Sequence, residues 1–145
     1  GSLWYGGAAL ALYEAFGVAG VLSAGTLSDW LGRQRVLFWV LLVAPVAILI
    51  FVFSTGILKI IMLAVTGFTV LSTTPVMLAI IQENAKEHPS TANGLFMMIS
   101  FAVRSIAVLL AGIIGDLAGL ENMFIVSAVI GFTAIPFLLK LGIKT

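Results

Sequence analysis

The sequence predicts an all-α, polytopic membrane bundle with five transmembrane helices. The chain has 145 residues, of which 61% are apolar and only 9% are charged, whereas about a quarter of the residues of a soluble domain are charged. The apolar residues form five runs, each near the ~20 residues that a helix needs to cross a bilayer. These runs do not alternate with a period of two, which argues against a closed β-barrel, the other fold that satisfies its backbone in lipid.

The composition also limits the function. The chain has no cysteine and one histidine, His88, so thiolate and histidine-based metal sites are not expected. No basic patch is present for nucleic acid, and no glycine-rich phosphate loop of the P-loop type occurs. We therefore predict a protein that is not an enzyme and that has no catalytic residues, cofactor, metal or nucleic-acid partner.

We predict helices near residues 6–30, 36–54, 57–82, 91–115 and 122–141, within a single transmembrane domain that covers residues 1–145. The short connections make neighbouring helices antiparallel. Basic residues are concentrated on the cytoplasmic side of membrane proteins, and five of them fall on one predicted side against Lys59 on the other. These five are Arg33, Arg35, Lys86, Lys140 and Lys144. The prediction is an external N-terminus and a cytoplasmic C-terminus.

Local signals predict three further features of the helices. Gly20, Ala24 and Ser28 recur every four residues, which predicts a face for close helix packing in the first helix. Pro75 predicts a kink in the third helix, with nearby threonine hydroxyls bonding to the freed carbonyls. Ser90 or Thr91 is predicted to cap the fourth helix.

The stretch from Gly25 to Leu37 concentrates charge between two apolar runs. It contains Asp29, Arg33 and Arg35, and its two glycines are Gly25 and Gly32. Glycine lets backbones approach closely and can end a helix in the left-handed conformation. This pattern is typical of a tight hydrophilic turn between two membrane helices.

The same stretch, with the spacing G-x-L-S-D-x-x-G-R-x-R-V-L, resembles a motif of major facilitator superfamily transporters. In that family it joins the second and third helices, and it recurs between the eighth and ninth. The resemblance implies that Asp29, Arg33 and Arg35 form a conformational latch against a helix of the other half of the transporter. A carboxylate beside a helix N-terminus is stabilised by about 0.3–1 kcal/mol.

Five helices fit either helices two to six or helices eight to twelve of this twelve-helix family. The segments 74–83 and 92–96 are similar to the region of the tenth and eleventh helices, which favours the C-terminal half. The subgroup that the chain most resembles is the fosmidomycin-resistance-like efflux proteins. The resemblance implies proton-coupled export of a small drug or metabolite, in the bacterial inner membrane, together with an N-terminal half as partner.

A second copy of one spacing predicts an internal repeat. Gly112, Asp116 and Gly119 repeat the spacing of Gly25, Asp29 and Gly32, at the end of a helix that runs in the opposite direction. An inverted-topology repeat has this property. The first and second helices would then correspond to the fourth and fifth, and the counterpart of the third helix would precede the first.

Two charged residues, Glu14 and Arg104, fall inside predicted spans, where a charge is costly and usually functional. Their predicted depths in the bilayer are nearly equal, which allows an ion pair between the first and fourth helices. This pair could lock the bundle, or Glu14 could carry a proton beside a cation that binds an anionic substrate. Asn93 and Ser100 share the helix face of Arg104, and Tyr13 adjoins Glu14, so all five are candidates for substrate binding or proton coupling.

A different interpretation also fits the sequence. The chain could be a non-transporting membrane bundle, or a half-transporter that assembles with a partner half or as a dimer.

Overall fold

The computed structural model describes residues 2–140, and all regular secondary structure in that range is α-helical. The helices are α1 (Ser2–Leu31), α2 (Arg33–Phe53), α3 (Gly56–Asn84), α4 (Pro89–Ala118) and α5 (Leu120–Lys140). Each is long and apolar enough to cross a membrane. The predicted all-α bundle with five spans is therefore confirmed.

Most helices extend beyond the predicted spans, because backbone hydrogen bonding continues into the polar residues that flank each apolar run. Helix α4 begins at Pro89 with His88 as its N-cap, so the predicted cap at Ser90 or Thr91 is wrong. Proline suits the first helical position because its missing N–H would have no partner there. Residue 141, the last of the fifth predicted span, and Lys144 lie outside the described residues.

Helix α3 lies at the centre of the packing. It contacts α1, α2 and α4, while α5 packs against α2 and α4. Helices α1 and α4 do not pack against each other in the described part of the chain. The α1–α2 turn and the α3–α4 loop therefore lie at one end of the bundle, and the α2–α3 and α4–α5 turns lie at the other.

The small residues of α1 form the predicted close-packing face, and the helix that packs against it is α3. Gly20, Ala24 and Ser28 are all buried. A methyl group at Gly20 would overlap the backbone of Phe68, and one at Gly67 would overlap the backbone of Tyr13. The two helices thus approach so closely that only glycine fits at both points.

Pro75 lies within a helix that continues through it, from Gly56 to Asn84. It removes the N–H that would bond to the Leu71 carbonyl. The hydroxyls of Ser72 and Thr73 instead donate to the carbonyls of Phe68 and Thr69, and no side chain among residues 3–140 donates to Leu71. The predicted compensation by hydroxyl groups is therefore wrong for this carbonyl.

Candidate functional site

A single glycine joins α1 to α2. Gly32 has φ +91°, which a residue with a side chain rarely adopts. Its carbonyl accepts the first hydrogen bond of α2, from the Val36 N–H at 3.1 Å. The break between the helices is only one residue long, so Asp29 and Arg33 remain one helical turn apart, and their side chains are 3.3 Å apart.

Arg33 connects the ends of three helices. From the start of α2, its Nη1 donates to the Ala79 carbonyl of α3 at 2.9 Å. The same guanidinium lies 3.1 Å from Oε1 of Glu83, near the C-terminal end of α3. Its Nη2 lies 3.3 Å from Oδ1 of Asp29 on α1. A planar guanidinium can satisfy several acceptors in this way, because its five N–H groups point in fixed directions.

The other motif residues are more exposed than Arg33. The Asp29 side chain is 61% exposed, compared with 27% for Arg33, and Arg35 is exposed and has no ion pair among the described residues. A methyl group at Gly25 would meet no atom within 4 Å. The structure thus gives Arg33 an internal role and leaves Gly25, Asp29 and Arg35 open to another molecule or segment.

Sequence reasoning missed Glu83 as the partner of Arg33. Helix α3 continues to Asn84, so Glu83 lies beyond the end of the predicted span 57–82. An acidic residue at the same end of the bundle as an arginine-rich turn was the available signal. This signal does not identify Glu83 as the partner of Arg33, because several charged residues lie at that end.

The α4–α5 turn has the same construction as the α1–α2 turn. Gly119 is again the only residue between the helices and has φ +86°. The repeated sequence pattern is therefore accompanied by a repeated local geometry.

Glu14 and Arg104 do not form the ion pair that their predicted depths allow. Both residues are exposed, and no pair within 4.0 Å joins them in the described structure. The sequence predicted their depths but not the separation of their helices: α1 packs on α3 while α4 packs on α5. Tyr13, which adjoins Glu14 on α1, is half-buried.

The remaining predicted residues are separated along α4. Ser100 lies one turn before Arg104 and is half-buried. Asn93 lies eleven positions before Arg104, about 16 Å along the axis, and accepts a hydrogen bond from Gln82 of α3 at 3.3 Å. Tyr13 lines a cavity of about 310 Å³ between α1, α2, α3 and α5. Ser100 therefore lies near Arg104, whereas Asn93 is hydrogen-bonded to α3 beside the α3–α4 loop.

Comparison with known proteins identifies the family. The profile of the Major Facilitator Superfamily matches residues 3–144, nearly the whole chain. The chain belongs to the major facilitator superfamily. Searches of curated proteins and of solved structures find no match.

Membership in the major facilitator superfamily makes the chain a multi-pass membrane protein of a transporter family. Two groups of residues are candidates for a role in transport. The first group surrounds Arg33 at the end of the bundle. The other comprises Glu14 and Arg104, which are charged residues within membrane-spanning helices.

Proposed function

We propose that the protein is most of the C-terminal half of a secondary transporter, corresponding to helices eight to twelve. It works by alternating access with an N-terminal half as partner, and it exports a small drug or metabolite in exchange for protons. The fosmidomycin-resistance-like efflux proteins are the subgroup we propose for it. Support comes from the family match and from the motif around Asp29 and Arg33.

The observation that carries the coupling proposal is the position of Glu14. This carboxylate lies in the span of α1, and no described cation lies within 4.0 Å of it. Ionisable residues within membrane spans typically form proton pathways in transporters. Glu14 is therefore our candidate for the proton-binding residue, with Tyr13 beside it.

Arg104 is our candidate for the residue that binds the substrate. It is a permanent cation in the span of α4, and guanidinium groups bind carboxylate and phosphate in preference to other groups. We assign Arg104 and the neighbouring Ser100 to substrate binding. Separate locations for the proton and the substrate would allow each to bias the same conformational change.

The described basic residues support the orientation that we propose. Arg33, Arg35, Lys86 and Lys140 lie at one end of the bundle and Lys59 at the other, as the order of the helices requires. The positive-inside rule assigns the first end to the cytoplasm. We propose a bacterial inner-membrane protein whose C-terminus is cytoplasmic.

Transport in inverted membrane vesicles tests the proposal. The complete transporter containing this chain should accumulate its substrate under an imposed proton gradient, and Glu14→Gln should abolish that gradient dependence while substrate binding persists. Arg104→Ala should weaken binding, whereas Glu87→Gln, in the exposed α3–α4 loop, is the matched control and should leave both properties unchanged. Full coupling in Glu14→Gln, with folding intact, would exclude Glu14 as the proton carrier.

One observation favours a second candidate, a half-transporter that assembles as a dimer. No residue of α4 is buried within the described structure, so this helix is available to pack against helices of another molecule. Chemical cross-linking in native membranes separates the candidates. Dimers of the 145-residue protein would support the second, and a complex with one N-terminal half would support the first.

A further inference from the structure

One face of α2 is exposed along the length of the helix. It consists of Arg35, Trp39, Val46, Ile50 and Phe53, all of which are exposed. These residues recur at intervals of three, four or seven, which places them on one side of a helix with 3.6 residues per turn. Helix α2 packs mainly against α3 and α5. This outer face of α2 is therefore the side that its two neighbours leave uncovered.

A groove of about 350 Å³ adjoins the outer face, between α2 and α3. The residues that line it are apolar and include Leu42, Val43, Val46 and Ile50 of α2 and Met62 and Val65 of α3. From Leu42 to Val46 the lining lies about 10–17 Å from Arg35 along the helix axis. Half of the hydrocarbon core of a bilayer is about 15 Å thick. The groove thus lies at the depth of acyl chains in the leaflet whose surface is near Arg35.

Arg35 supplies a positive charge at the end of this face. It is exposed, and no carboxylate lies within 4.0 Å of it in the described structure. It belongs to the first turn of α2, which contains no acidic residue and follows Gly32, an N-cap without a side chain. A helix N-terminus attracts anions, and a guanidinium binds phosphate through two parallel hydrogen bonds. A phosphate here would interact favourably with both Arg35 and the helix N-terminus.

Trp39 lies between this charge and the groove. It is one turn after Arg35, and its ring is in edge contact with that of Phe38, with the centroids 6.0 Å apart. Tryptophan is enriched at the membrane–water interface, because its ring is apolar while its N–H needs a polar partner. A cation, an interfacial aromatic ring and an apolar groove therefore follow one another in the same order as the phosphate, glycerol region and acyl chain of a phospholipid.

The additional helix that the internal repeat predicts would not cover this face. That helix would be the counterpart of α3, which contacts α1, α2 and α4. Because the repeat exchanges α1 with α4 and α2 with α5, the additional helix would contact α4, α5 and α1. The outer face of α2 lies outside this set of contacts. Lipid is therefore the occupant that we assign to it.

We propose that the outer face of α2 and the adjoining α2–α3 groove bind an anionic phospholipid, with its phosphate at Arg35 and an acyl chain in the groove. Basic sites beside membrane helices typically bind anionic headgroups. The resemblance to the family motif groups Arg35 with the latch, whereas this inference assigns it to the lipid and leaves Arg33 its internal contacts. The inference does not depend on the transported substrate or on proton coupling.

Quenching of tryptophan fluorescence by brominated lipids tests this site, because the bromine must come close to the ring. The chain has three tryptophans, so Trp4→Phe with Trp30→Phe leaves Trp39 as the sole reporter. The 145-residue protein would be placed in vesicles of equal parts phosphatidylcholine and phosphatidylglycerol, with bromine on the acyl chains of one lipid or the other. The association constant at Trp39 should favour phosphatidylglycerol about fivefold, the effect of one arginine near a membrane surface.

Two charge variants separate a site from general attraction to the surface. Arg35→Gln in the Trp39 reporter should remove the preference for phosphatidylglycerol. Lys86→Gln removes the same charge from the exposed α3–α4 loop at the same end of the bundle, and the preference should persist. A reporter that keeps Trp30 alone, on α1, should show no preference in the unmodified background.

The position of the acyl chain needs a reporter in the groove. Val46→Trp, with the three native tryptophans changed to phenylalanine, places the ring beside the groove lining. This reporter should show the same preference for phosphatidylglycerol as Trp39, and Arg35→Gln should remove it as well. Equal quenching by the two lipids at this position would overturn the assignment of the chain to the groove.

Three further results would overturn the inference as a whole. The first is equal quenching of Trp39 by the two lipids. The second is a preference that survives Arg35→Gln or that Trp30 shares, since either would indicate general attraction to the membrane surface. The third is weak quenching of Trp39 by both lipids, which would show that protein covers this face. Circular dichroism verifies the helical fold of each variant.

Discussion

The guanidinium of Arg33 and the carboxylate of Glu83 form an ion pair of 3.1 Å that ties the beginning of α2 to the end of α3. Arg33 also donates to the Ala79 carbonyl on the preceding turn of α3. It is the more enclosed partner, with 27% of its side chain exposed compared with 58% for Glu83. Removing the Arg33 side chain should therefore lower the free energy of unfolding more than removing the Glu83 carboxylate, and this difference can be measured.

Arg33→Ala should lower the free energy of unfolding by about 2 kcal/mol, because a charged hydrogen bond and two ion pairs are lost together. Arg35→Ala removes the same type of side chain two residues later, where it is exposed and has no described ion pair. We expect a change below about 0.5 kcal/mol for this control. Unfolding in detergent, followed by circular dichroism, measures both values, and equal losses would contradict the assigned role of Arg33.

Glu83→Gln should have a smaller effect, about 0.5 kcal/mol, because exposed ion pairs contribute little and are screened by salt. The loss should shrink further as salt is raised to about 1 M, where the screening length falls to about 3 Å. The hydrogen bond from Arg33 to Ala79 remains in this variant. Unfolding at low and high salt measures the effect, and a large loss that is independent of salt would show that Glu83 acts through packing.

The sequence predicted the helices better than it predicted their contacts. The five spans follow from the lengths of the apolar runs, and the buried face of α1 follows from the spacing of Gly20, Ala24 and Ser28. These are properties of single segments. The Arg33–Glu83 pair could not be identified in the same way, because it depends on how the end of α3 packs beside the α1–α2 turn.

The ion pair that the depths of Glu14 and Arg104 allow is absent from the described structure for a related reason. The rise of 1.5 Å per residue gives the depth of a side chain along its helix, and the two depths were predicted to be nearly equal. The rotation of each helix and its choice of neighbour depend on packing. Helix α1 packs on α3 through its glycines, and this leaves α4 apart from it.

Gly20→Ala should destabilise the bundle by about 1–3 kcal/mol, the usual cost of overpacking a tight contact. A methyl group there would overlap the backbone of Phe68, which cannot move as a side chain can. Gly25→Ala is the matched control on the same helix, where a methyl group meets nothing within 4 Å. Because alanine favours helix over glycine by about 1 kcal/mol, the control should be neutral or stabilising, and thermal unfolding of both variants distinguishes these outcomes.

Pro75→Ala should stabilise α3 by about 1 kcal/mol, because it restores an N–H for the Leu71 carbonyl. The comparison is Pro45→Ala in α2. Pro45 is buried and its ring faces Gly131 of α5, where a methyl group would come within 3.3 Å of it, so removing this ring also removes packing between helices. We expect a smaller gain or a net loss for Pro45→Ala, and unfolding temperatures that change by the same amount would contradict the distinction.

Asp29→Asn should separate stability from transport. The Asp29 side chain is 61% exposed and its one described partner is Arg33, so unfolding should change by less than about 1 kcal/mol. In the proposed latch, however, the Asp29 carboxylate faces the positive end of a helix in the partner half, an interaction of about 0.3–1 kcal/mol. Losing it should shift the balance between inward-open and outward-open states and change the transport rate several-fold, measured in vesicles of the complete transporter. A transport rate equal to that of the unmodified protein would remove Asp29 from the latch and leave the motif with the internal role that Arg33 performs.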